Sequence, residues 1–119
     1  MISKDLVAAS SRPLVLSILA EGESYGYAII QRVRELSEER IEWTDGMLYP
    51  VLHRLEREGL IVSRWKQAET GRERKYYRIS SKGTTALGEE RRKWMTVHET
   101  LGRLWGVTAL GMTVPAVAK

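Results

Sequence analysis

The residues best placed to do chemistry in this chain are Tyr49, His53, Arg54 and Arg57, with Gly46 beside them, in the stretch Thr44-Asp-Gly-Met-Leu-Tyr-Pro-Val-Leu-His-Arg-Leu-Glu-Arg-Glu-Gly-Leu-Ile61. Leu48, Val51, Leu52 and Leu55 follow the i, i+3, i+4, i+7 spacing of a buried helical stripe. At about 100° per residue, Gly46, Pro50, His53 and Arg57 point away from that stripe, with Tyr49 and Arg54 at its margins. A merely solvated helix face is usually built from Glu, Lys and Gln. This one offers a glycine, a phenol, an imidazole and arginines, groups suited to close approach to a polyanion. Arginine can pair with guanine edges in a major groove, and tyrosine can bond a phosphate.

A second group of candidates follows. Between Arg64 and Arg78 there are six bases (Arg64, Lys66, Arg72, Arg74, Lys75, Arg78) and two acids (Glu69, Glu73), an excess of four positive charges, equal to the +4 net charge of the whole chain. Leu60–Trp65 and Arg74–Ile79 are β-rich runs, and Lys66–Glu73 between them has the composition of a hairpin tip, with Gly71 as the turn residue. Arg72 and Lys75 are placed to meet phosphates or a narrow minor groove, and Arg74 is more readily turned away by strand alternation. A third candidate is Ser24 with Tyr25, at the start of a helix whose free amides could seat a phosphate; Tyr27 reads as core.

These groups need elements to hold them. Residues 1–20 read as helical, with Leu14, Leu16, Ile18 and Leu19 facing the core and Pro13 requiring a start near Ser11 or a bend. Ser24 is expected to cap a second helix running to about Glu38, with Ile29, Ile30, Val33 and Leu36 inward. Thr44 should cap the third helix through its hydroxyl, Asp45 suits the positive end of the helix dipole, and Gly59 suits the left-handed stop. Pro50 lies inside that helix at a typical cost of about 3 kcal/mol, which implies a local bend eased by Gly46. Ser80 or Ser81 caps a last helix to about residue 105, carrying Leu87, Trp94, Val97, Leu101 and Leu104 at near-heptad spacing, flanked by His98 and Trp105. This stripe is best explained by a partner helix from a second copy. It is too short for a free coiled coil, so the first helix is expected to complete the interface. The expected fold is mainly α with a small β-hairpin wing: a winged helix-turn-helix over 1–80, a dimerisation helix over 81–106, and an apolar tail over 107–119 with no assigned role.

Composition narrows the alternatives. A chain of 119 residues, 43% hydrophobic, is one domain's length with material for a core. It has no cysteine, hence no disulfide framework or thiolate metal site. No apolar run approaches the roughly 20 residues of a membrane helix, and no signal peptide is visible, so a cytoplasmic protein is expected. Neither histidine, His53 or His98, has a motif-positioned nucleophile or a metal-ligand spacing, so no catalysis, metal or cofactor is expected. The pI near 9.6 agrees with a nucleic-acid partner.

At Tyr25-Gly26-Tyr27, Gly46-Met47-Leu48-Tyr49-Pro50, Leu55-Glu-Arg-Glu-Gly-Leu-Ile61 and Gly71-Arg-Glu-Arg-Lys-Tyr-Tyr-Arg78, the sequence resembles the PadR family of transcriptional regulators, over roughly residues 12–105. Met47 stands where the family usually has Thr or Ser, so no hydroxyl-to-phosphate contact is carried over there. The resemblance implies a homodimeric DNA-binding regulator, by family habit a repressor, on double-stranded DNA with a pseudo-palindromic operator. It further implies that Trp94, with Val97 and His98 one turn on, lines a site for a flat aromatic effector between dimer mates, with Leu87, Leu101, Leu104 and Trp105 completing the interface. Two alternatives stay open: another basic winged-helix class, MarR-like, which the Gly-Met-Leu-Tyr-Pro start opposes, and a winged helix that docks an acidic protein through its Tyr and Arg face.

Overall fold

The computed structural model describes residues 3–106, so the expectation for residues 107–119 lies outside the described residues. Their order is α1 (Lys4–Glu21), β1 (Ser24–Tyr25), α2 (Gly26–Leu36), α3 (Asp45–Arg57), β2 (Ile61–Gln67), β3 (Glu73–Ile79) and α4 (Ser81–Trp105). The chain divides into two compact units, up to Leu87 and from Gly88 onward, so the boundary falls inside α4.

The first unit is a helical core closed by a three-stranded antiparallel sheet of order β1-β3-β2. Strand β1 was not expected. It is two residues long, Ser24 opposite Tyr77 and Tyr25 opposite Tyr76, too short to leave a periodicity in sequence. As a result Ser24 does not cap α2. The cap position is Tyr25, and it makes no side-chain bond. The hairpin itself forms as expected, in a register from Ile61 opposite Ile79 to Gln67 opposite Glu73, and Gly71 takes a left-handed φ of 87° at its tip.

Helix α1 does not start near Ser11, one of the two options that Pro13 left open. The helix runs unbroken from a Ser3 cap, whose hydroxyl accepts from the Leu6 amide at 3.3 Å, and carries the proline in its interior. Val7 before the proline and Val15, Leu16, Ile18 and Leu19 after it are all buried in the same core. Burial on both sides outweighs the one backbone bond that proline forfeits. In α2, Ile29 and Val33 are buried, whereas Leu36 is 56% exposed at the last residue of the helix. The chain turns away there through Glu38 and Glu39, both at positive φ.

Helix α3 buries Leu48, Leu52 and Leu55 to 1% exposure or less and is continuous through Pro50. Thr44 occupies the cap position by backbone alone: its carbonyl accepts from Met47 and Leu48, and its hydroxyl makes no capping bond. The far end closes in a Schellman arrangement, with the Gly59 amide on Glu56 O and the Leu60 amide on Leu55 O, both at 3.0 Å, made possible by Gly59 at φ 77°. Arg12 of α1 reaches Glu58 at 2.9 Å, pinning that end to the first helix.

Helix α4 starts against the base of the hairpin. Ser80 Oγ accepts from the Gly83 amide at 3.0 Å and donates to Gly59 O at 2.7 Å, while the Ser80 amide donates to Leu60 O at 2.9 Å. Gly83 is packed so closely that a Cβ there would lie 2.0 Å from Leu60 O and 2.7 Å from Ile79 Cγ1. Leu87 is 8% exposed and belongs to the core cluster of this unit, so its surface is already covered without a second copy.

Gly83→Ala is therefore expected to cost about 3 kcal/mol, at the upper end for an overpacked site, because a backbone carbonyl cannot swing aside. Gly88→Ala in the same helix would meet only Arg92 Nη1 at 3.8 Å and should gain up to about 1 kcal/mol. Urea unfolding of both variants measures this; equal midpoints would show that the Leu60–Gly83 approach does not constrain the fold.

Candidate nucleic-acid interface

Because Leu48, Leu52 and Leu55 are sealed in the core, the opposite side of α3 is forced into solvent. Gly46, Tyr49, His53, Arg54 and Arg57 are all exposed. Tyr49 is less free than its exposure suggests. Its hydroxyl lies over Gly26 at the first turn of α2, where a Cβ would stand 2.6 Å from Tyr49 Oη and 3.1 Å from Cζ. The glycine leaves room for the phenol tip at the helix start, and the His53 ring lies beside it with centroids 6.3 Å apart.

Between α3, the start of α2 and the hairpin runs an open groove of about 500 Å³. Five of the sequence-predicted residues line it: Tyr25, Tyr49, His53, Arg72 and Lys75. Gly46, Arg54 and Arg57 lie on α3 outside the groove, and Ser24 is held half-buried in β1. Three aromatic residues that sequence reasoning did not select also line it: Tyr27 and Trp65, each 65% exposed, and the buried Tyr77. Tyr27 was expected in the core and is instead on the surface, because Ile29 and Val33 define the buried side of α2. Trp65 was legible in principle. It shares a strand face with Ile61 and Ser63 and pairs with Lys75, so simple alternation from buried Ile61 directs it toward α3.

The charge of the hairpin is partly used internally. Glu23, just before β1, accepts from Arg64 at 2.9 and 3.2 Å and from Lys66 at 2.6 Å. These hydrogen bonds, Arg64 first, hold its carboxyl down to about 2, so it stays ionised at any working pH. Lys66 also lies 4.2 Å over the Tyr76 ring, and the Arg74 guanidinium 4.4 Å over Tyr25, whose ring meets Tyr76 edge-on at 5.3 Å. Lys75 lies 3.9 Å from Glu56 of α3, and Glu56 also accepts a short bond from Ser63 Oγ. Arg72 and Arg78 make no ion pair among the described residues, so the full excess of four charges is not equally available to an anion. Tyr77 is buried beneath the groove with its hydroxyl unpartnered. Burial, then nearby Tyr49 and Glu56, pushes its pKa up to about 12, so it is neutral.

Helix α4 beyond Gly88 displays Trp94, Val97, His98, Leu101, Leu104 and Trp105 within one angular sector. Trp94 and Leu101 are half-buried, while Val97, Leu104 and Trp105 are 53%, 66% and 71% exposed. Among the described residues there is no cluster of His, Asp or Glu that could hold a metal ion, and no helix long and apolar enough to cross a membrane.

The assembly of α2, α3 and a basic hairpin is that of winged-helix regulators, and comparison with known proteins agrees. The family model for the Transcriptional regulator PadR-like family matches residues 15–89. A transcriptional regulator of Mycobacterium tuberculosis is 38% identical over 89 residues, covering 75% of this chain and 79% of that protein. A solved transcriptional regulator from Clostridium thermocellum superposes with a TM-score of 0.77 at 31% identity, over 87% of this chain and 97% of the other. A PadR-like regulator from Bacillus cereus gives 0.76 at 28% identity, over 86% and 97%. The chain thus belongs to the PadR-like family: it is a winged-helix, DNA-binding transcriptional regulator.

Proposed function

We propose that this chain is a homodimeric repressor that binds a pseudo-palindromic operator, its α3 in the major groove and its hairpin along the flanking backbone. The observation that carries this reading is the continuous surface formed by the outward face of α3, the groove and Arg72 at the hairpin tip. His53, Arg54 and Arg57 would read base edges, Tyr49, Tyr25 and Ser24 would contact phosphate, Gly46 would allow close approach, and Arg72 and Lys75 would meet phosphates or the minor groove. Half-sites would be about one helical turn apart, roughly 34 Å, or a multiple of it.

The dimer would form through α4 beyond Gly88, where Trp94, Leu101, Leu104 and Trp105 share a face and leave large apolar area in water. Helix α1 would complete the interface. Leu87, already buried in the core, is left out of this seam. Trp94, Val97 and His98 would line a site between mates for a flat aromatic effector, which would release DNA by altering the angle between the two wings.

The first test is fluorescence anisotropy with a duplex from upstream of the chain's own gene and a shuffled duplex of equal composition, at two salt concentrations. Preference for the native duplex at the higher salt is expected; equal, salt-erased binding would favour the alternative of a winged helix that docks an acidic protein. Arg57→Ala should cost about 1–3 kcal/mol of operator affinity, and an unchanged Kd would remove α3 from the reading role. Gly26→Ala should displace Tyr49 and weaken operator binding several-fold, with the urea midpoint little changed because the phenol end can move. Retained affinity would separate Tyr49's position from binding. Trp94→Ala should weaken dimerisation by about 2 kcal/mol or more, as expected for an interface hot spot. Sedimentation velocity and titration with a flat aromatic dye that both match wild type would refute the seam.

A further inference from the structure

Glu23 is placed unlike the other acids of the first unit. Its carboxylate takes the Arg64 fork on both oxygens and Lys66 Nζ on one of them. The Glu23 side chain is only 20% exposed, while the Arg64 and Lys66 side chains are 62% and 41% exposed. The two cations are thus at the surface and tethered from beneath. Glu23 cannot follow them outward, because the next two residues, Ser24 and Tyr25, are strand-paired to Tyr77 and Tyr76 of β3.

The cations lie on β2, two residues apart, on the strand face opposite Trp65. Each phosphate neutralised by such a cation releases condensed counterions and steepens the salt dependence of binding. An exposed ion pair is weak and can be exchanged for a phosphate, yet while it holds, neither cation contributes to that release. We propose that Glu23 sets the DNA affinity of this protein by withholding Arg64 and Lys66 from the phosphate backbone. The wing then engages DNA with Arg72, which makes no ion pair among the described residues, rather than with its whole basic complement, which keeps nonspecific binding down without lowering the number of bases in the chain. This inference rests on the reading of the wing as a DNA-contacting surface.

The test is a salt series of duplex binding by fluorescence anisotropy for the wild-type protein, Glu23→Gln and Glu69→Gln. Glu23→Gln preserves size and removes the charge. Glu69, at the hairpin tip, is exposed, makes no ion pair among the described residues, and controls for the loss of one negative charge near DNA. Glu23→Gln should bind about tenfold tighter at low salt, on shuffled as well as native duplex. Its slope of log K against log salt should steepen by one to two units, about 0.9 for each phosphate gained. Adding Arg64→Ala and Lys66→Ala to Glu23→Gln should return the slope to the wild-type value. Equal behaviour of Glu23→Gln and Glu69→Gln, or weaker binding by Glu23→Gln, would overturn the proposal. The latter result would make Glu23 a brace for the wing. A wild-type protein with no salt-dependent duplex binding would instead overturn the DNA reading on which it rests.

Discussion

Four elements of the first unit meet at the backbone of Gly59 and Leu60. The left-handed turn at Gly59 stops α3 and starts β2. The Leu60 carbonyl then receives the Ser80 amide, and Gly59 O receives the Ser80 hydroxyl, so β3 ends and α4 begins on the same two peptide units. Gly83 brings the first turn of α4 against that carbonyl at a distance no side chain could share. The constraint is one of polar satisfaction at close quarters. The buried residue Leu60 needs a donor for its carbonyl, and here that donor, like the one to Gly59 O, comes from the residue that also caps the next helix. The base of the wing is thereby tied to the end of α3.

Above the junction, the wing is held to α3, to β1 and to the segment before β1 by charge and aromatic contacts. Glu56 of α3 bonds Ser63 and approaches Lys75, Glu23 takes Arg64 and Lys66, and Tyr25 stacks beneath Arg74. Each of these contacts except the Glu56–Ser63 bond orders a long basic side chain and occupies a cation. A basic hairpin therefore has two competing needs: free positive charge attracts DNA, and paired positive charge keeps the hairpin in position before DNA arrives. The chain divides the tasks among its bases: Arg64 and Lys66 are paired to Glu23, while Arg72 at the tip makes no ion pair among the described residues.

Legibility from sequence followed the strength and length of each pattern. The outward face of α3 was readable because a four-residue apolar stripe within one helix fixes every other angle on it, and the hairpin because its strands are seven residues each. Strand β1 was not, since two residues carry no period, and with it went the supposed capping role of Ser24. Tyr27 and Leu36 were misread for a shared reason. An aromatic or aliphatic side chain on an amphipathic helix is assumed buried, but whether a neighbour covers it depends on where the helix begins and stops. Pro13 does not mark a helix start because its cost is local, while the burial of Val7 and Val15 that offsets it is not.

What the sequence determined by itself is whatever follows from periodicity and residue chemistry along one element: the apolar stripe of α3, its outward Tyr, His and Arg residues, the left-handed stops at Gly59 and Gly71, and the collection of positive charge in one hairpin. The tertiary structure alone decided which groups at a distance meet. It laid Tyr49 over Gly26, added β1 to the sheet, buried Leu87, and drew Arg64 and Lys66 to Glu23 across more than forty positions of chain. The physical reason is that helix and strand periods act over a few residues. Close packing and ion pairing, by contrast, depend on distances that exist only once the core has brought separate elements together.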